Sequence, residues 1–138
     1  MKDIQHKRTI EETEEFLPDF NKLNHIAGVM PVAVQNIKTS EVILVAYTNQ
    51  KAIDESLKTG LATFWSTSRN ELWVKGKTSG QYFELIEVLV NCEQNSLVYK
   101  VKPRKDGICH TKNKAGKSRN CYYRRLNPET MKLENINP

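Results

Sequence analysis

The chain has 138 residues, three of them cysteine, and a formal net charge of +5 at pH 7. That length supplies one ordinary core rather than two, and the longest apolar runs, Val42 to Tyr47 and Leu85 to Val90, fall far short of the ~20 residues that span a bilayer as a helix. The cysteines are odd in number and form no CxxC pair, which argues against a secreted disulfide framework, and the charged N-terminus has neither an apolar signal core nor a transit-peptide composition, so a reduced, cytoplasmic protein with no membrane partner is expected.

In chain order, Thr9 with Glu12 three residues on reads as a capping box, predicting a short helix that ends near Pro18 within an N-terminal arm over 1–28. Apolar residues at 32, 34 and 37, the polar turn Lys38-Thr39-Ser40-Glu41 and the β-rich run 42–47 predict a hairpin. Asn49 is placed to cap a helix whose Ala52, Ile53, Ser56 and Leu57 share a face, with Gly60 at the left-handed C-terminal position. Strands follow at 62–66, 71–75, 82–91 and 96–101, separated by polar or glycine-containing turns. Residues 107–120 read as a loop, 121–126 as a returning strand, and 127–138 as a tail with little signal. The sum is a single α+β domain over 1–138, a mostly antiparallel sheet with one or two short helices.

The chemistry-bearing residues start out ambiguous. A lone cysteine is more often a small buried apolar residue than a ligand, yet Cys92 in Asn-Cys-Glu-Gln-Asn and Cys109 in Asp-Gly-Ile-Cys-His-Thr have polar neighbours. Arg69, Lys75 and the turn Gly76-Lys77-Thr78-Ser79-Gly80 suit phosphate through charged side chains and open backbone N–H groups, and equally suit an ordinary surface turn. Trp65 and Trp73 are placed to stack on a purine or to anchor the core. His6 and His25 read as solvated or packing imidazoles. Lys112, Lys114, Lys117, Arg119, Arg124 and Arg125 make the last third basic, which suggests an anionic partner.

Read together, the segments become specific. Pro31-Val-Ala-Val-Gln35, Glu41 to Asn49, Thr59-Gly60, Phe64-Trp65-Ser66-Thr67-Ser68-Arg69, Leu72 to Gly80, Cys92, Cys109-His110-Thr111 and Cys121-Tyr122-Tyr123-Arg124 follow in order. The set resembles the phosphoribosyl-AMP cyclohydrolase family over about residues 20–126. The resemblance implies an intertwined homodimer with Zn²⁺ at the subunit interface, held by Cys92 of one chain and Cys109 and Cys121 of the other. Thiolates suit tetrahedral zinc, and a catalytic zinc keeps its fourth position for water or substrate. Three thiolates leave the site negative and acidify water less than imidazoles would, which makes His110 the candidate proton acceptor. A nucleotide substrate is implied, with Trp65, Ser66, Arg69, Lys75, Gly76, Thr78, Ser79 and Gly80 as its contacts.

The chain departs from the family at its second metal segment. The pattern Asp-Cys-Asp-x-Asp puts three carboxylates on one strand face, suited to Mg²⁺; here Asn91, Glu93 and Asn95 leave one. A weakened or missing Mg²⁺ site is expected, with Lys112, Lys114, Lys117 and Arg119 supplying part of the missing positive charge. Thr67, Thr48 and Phe83 stand where the family has Arg, Met and Gln, and the Cys109–Cys121 loop is longer and more basic. Opening of the adenine ring of 1-(5-phosphoribosyl)-AMP is the leading expectation. A diverged paralogue acting on another purine-like nucleotide is the nearest alternative, and a nucleotide- or nucleic-acid-binding module ranks below both.

Overall fold

Strand β1, Met30–Asn36, turns back through residues 37–41 into β2, Val42–Thr48, as the alternation requires. Asn36 shapes the turn: its side-chain oxygen accepts from the N–H of Lys38 (2.9 Å) and of Thr39 (3.3 Å). The register shifts between Val34 and Gln35, and this bulge lets the adjacent residues Ile43 and Leu44 both be buried. Such detail is given by a computed structural model, which describes residues 13–15, 28–77, 80–92, 94–104, 112–117 and 119–138. The capping box at Thr9 lies outside the described residues, and of the helix predicted after it only residues 13–15 are described; these are not helical, because Glu15 pairs instead with Lys132 in an antiparallel bridge.

Helix α1, Gln50–Thr59, has the caps the sequence predicts. The Ala52 N–H donates to the Asn49 side chain at 2.9 Å. Gly60 closes the helix at φ 74, its N–H donating to the Ser56 carbonyl. Ser56 is fully buried and joins the helix to the next strand: its hydroxyl accepts from the Thr63 N–H at 2.9 Å and shares its proton between the carbonyls of Ala52 and Thr63.

Strands β3, Thr63–Ser66, and β4, Glu71–Val74, form a hairpin; β5, Phe83–Val90, and β6, Leu97–Pro103, form another. The main sheet runs β2-β1-β6-β5. Its outer pairs are antiparallel, but β1 and β6 pair in parallel, Val32 beside Leu97 through Asn36 beside Val101. Among the described residues this is an α+β fold with one helix and mostly antiparallel strands, as expected from the sequence.

One face of the main sheet carries the core: Val32, Val34, Leu44, Leu97, Tyr99 and Val101, closed by Phe64 and Phe83. Phe64 stacks obliquely on Trp73 (5.3 Å between centroids) and Tyr99 (5.9 Å), so Trp73 is a core anchor. On the opposite face, register places Val45, Ala33, Val98 and Leu89 in one apolar row across all four strands. Val45 is 50% exposed and Leu89 40%, so among the described residues nothing closes this row.

The chain divides into two compact units, Ile26–Tyr122 and a smaller one of Met1–His25 with Tyr123–Pro138. In the smaller unit β7, Arg124–Leu126, pairs with β8, Leu133–Asn135, and the Leu133 N–H donates to the Glu14 carbonyl. The returning strand thus starts three residues later than its sequence suggests, and the tail contains a strand that its polar composition conceals.

Candidate active site

Cys92 and Cys121 are both solvent-exposed. Cys92 follows β5, at one edge of the main sheet, and opens the turn to β6. Cys121 lies at the other edge: its N–H donates to the Ile43 carbonyl at 3.0 Å, while Asn120 Nδ2 donates to the Glu41 carboxylate at 2.8 Å. The bulge in β2 that buries Ile43 thus also seats Cys121. Three strand spacings, about 14 Å, separate the two edges. Two sulfurs on one zinc stand at most about 4.6 Å apart, so these two thiols cannot share an ion within one chain. Cys109 and His110 lie outside the described residues. Among the described residues no three His, Cys, Asp or Glu side chains form a metal-holding cluster.

Partial burial raises the pKa of the Tyr122 phenol above its ordinary value, and the neighbouring Cys121 adds to the rise. Tyr122 therefore keeps its proton at neutral pH and offers a hydrogen-bond donor beside Cys121 rather than a base.

The predicted substrate contacts separate into two groups. Arg69, Lys75 and Gly76 line one groove of about 340 Å³ along β4, together with Glu71, Leu72 and Lys77. Lys77, named in the sequence as part of the same turn, joins them in the lining. Arg69 makes an exposed contact with Glu71 at 3.5 Å, a pairing weak enough to be displaced by a phosphate. Lys75 extends over the Phe83 ring at 5.9 Å. Trp65 and Ser66 belong to β3 and are not part of the groove lining, although Ser66 Oγ accepts from the Arg69 backbone N–H at 3.2 Å and steadies that end.

Gly76 has φ +96, and a Cβ there would collide with the backbone of Gln81 and Tyr82. The Gly80 N–H donates to the Gly76 carbonyl at 2.7 Å, drawing the loop tight. Only glycine permits that approach at Gly76. Thr78 and Ser79 lie outside the described residues. The basic turn after them in the chain is ordered by Asn113, whose side chain accepts from the N–H groups of Ala115 and Lys117, both at 3.0 Å, and Lys112, Lys114 and Lys117 are exposed on it.

Comparison with known proteins gives the framework for these residues. The phosphoribosyl-AMP cyclohydrolase family model matches residues 44–123. The chain belongs to the phosphoribosyl-AMP cyclohydrolase family. It is 42% identical over 105 residues to phosphoribosyl-AMP cyclohydrolase of Archaeoglobus fulgidus, covering 76% of this chain and 92% of that protein. It is 40% identical over 116 residues to the Hyphomonas neptunium enzyme of that name, covering 84% and 81%. It is also similar to the histidine biosynthesis bifunctional protein HisIE of Aquifex aeolicus, 42% identical over 97 residues, 70% of this chain and 45% of that protein. The expected assignment to a hydrolase of the cyclohydrolase class follows from this membership. Cys92 and Cys121 both fall inside the matched span, while Glu41 and Ile43, which seat the Cys121 segment, precede it.

Proposed function

We propose that the chain is a zinc-dependent, homodimeric hydrolase of histidine biosynthesis that opens the adenine ring of 1-(5-phosphoribosyl)-AMP between N1 and C6. The observation that carries this reading is the position of Cys92 and Cys121, exposed on opposite edges of one sheet. In two sheets stacked about a two-fold axis that runs along the strands, each edge of one copy lies over the opposite edge of its partner, so Cys92 of one chain with Cys109 and Cys121 of the other would hold the ion. The uncovered row Val45, Ala33, Val98 and Leu89 supports a second copy, because a contiguous apolar face on a sheet calls for a partner.

When bound, zinc supplies a more acidic water than bulk solvent offers at neutral pH. The chain's own residues do the rest. Arg69, Lys75 and Lys77 along the groove bind phosphate, and the Gly76 turn allows backbone N–H groups to approach it. His110 takes a proton from the attacking water, whose oxygen adds to C6, a carbon made electrophilic by the substituent on N1. The N1–C6 bond then breaks as N1 receives that proton, the second proton of the water passes to the exocyclic nitrogen on C6, and the water oxygen becomes that of a carboxamide.

The test is mass spectrometry of zinc-loaded protein incubated with 1-(5-phosphoribosyl)-AMP, beside Cys109→Ser. The native chain should add one water to the substrate, and the variant should lose both zinc and turnover. Zinc retained without any mass gain would reassign the chain to a paralogue with another nucleotide substrate.

A further inference from the structure

The turn between β5 and β6 is where a family member would place carboxylates around Mg²⁺, and the side chains found there do something else. The Asn91 side-chain oxygen accepts from the N–H of Asn95 at 2.9 Å and of Ser96 at 3.0 Å, which uses both of its lone pairs. Asn91 Nδ2 donates to the Asn95 side-chain oxygen at 2.6 Å. The backbone closes the same loop, Asn91 N–H to the Ser96 carbonyl at 3.2 Å and Gln94 N–H to the Asn91 carbonyl at 3.0 Å, with Gln94 at φ 56.

We propose that this amide pair, Asn91 with Asn95, closes the turn in place of a divalent cation, and that the chain takes no Mg²⁺ there. An aspartate at 91 could accept the two backbone N–H bonds but could not donate, and a carboxylate facing it from 95 would repel it unless a cation stood between them. An amide at 91 removes both problems, because its N–H places positive hydrogen against the oxygen of residue 95, where a cation would have to sit. Mg²⁺ sheds its water reluctantly and binds mainly through carboxylates; Asn91 and Asn95 offer only amide oxygens, each already accepting a hydrogen bond, and Glu93, the single carboxylate of the segment, lies outside the described residues. Cys92 lies within this turn, so on the reading of the zinc site above the pair is also a positioning device for one of its ligands.

Calorimetric titration of Mg²⁺, and separately of Mn²⁺, into the zinc-loaded native protein tests this directly. No saturable binding is expected up to about 5 mM, a range in which carboxylate-built Mg²⁺ sites commonly fill. Asn91→Asp with Asn95→Asp should melt below the native protein in metal-free buffer. Added Mg²⁺ should then raise that variant's midpoint by about 3–6 °C while leaving the native midpoint unmoved. Stoichiometric sub-millimolar binding by the native chain overturns the proposal, and so does a double variant, folded by circular dichroism, that binds Mg²⁺ no better than native. If the double variant does not fold, Asn91→Asp alone, which removes the donor, is titrated in its place, and Mg²⁺ binding no better than native again overturns the proposal. These readouts need no substrate, so absence of ring opening would overturn the proposed function and leave this inference standing.

Discussion

At Gly76 a single hydrogen atom decides whether the groove exists, since any Cβ meets the backbone of Gln81 and Tyr82 in a left-handed conformation. Gly76→Ala should therefore lose at least about 2 kcal/mol of stability in urea unfolding, and the surviving folded protein should show a raised KM from the displaced Lys75 and Lys77. Cys92 is exposed and belongs to no packed core, so Cys92→Ser should keep its far-ultraviolet circular dichroism while zinc content and turnover fall together. The glycine turn was visible in the sequence as a tight bend, and its ambiguity between surface loop and phosphate cradle is reduced only by the groove that Arg69 and Lys77 share with it. The sulfurs were legible as a set only through the order of the segments around them. No local pattern tells that residues 92 and 121 end on opposite sheet edges.

Among the elements, α1 was the most readable because its signals are local: a capping side chain at one end and a left-handed glycine at the other. Its attachment to β3 was not, since Ser56 looks like any helix-face serine until Thr63 arrives beside it. Ser56→Ala would leave the buried N–H of Thr63 without its acceptor. A loss of about 2 kcal/mol is expected by denaturant titration, whereas Asn49→Ala, at the helix start, should cost about 1 kcal/mol. The strand β8 was missed for a related reason. Leu133-Glu134-Asn135 is too short and polar to announce itself, and its pairing comes from β7 rather than from its own composition.

For the whole molecule, the proposed sharing of the site between two copies has complementation as its consequence. Cys92→Ser and Cys121→Ser should each be inactive as homodimers, yet a mixed dimer keeps one site whose ligands are all native. Refolding them together in equal amounts should restore roughly a quarter of native turnover by random two-fold pairing; no recovery, with mixed dimers demonstrated by mass spectrometry, would exclude a shared site. The parallel join of β1 to β6 has a different kind of consequence. Its two strands are separated by roughly 65 residues of chain, so at translation rates of about 5–20 residues per second β1 waits several seconds with one edge unsatisfied. During that interval the hairpin it forms with β2 is open to pairing with the wrong strand. Productive folding of this chain should thus be governed by a late, long-distance closure, and crowding by unfinished copies of itself is the hazard it faces at birth.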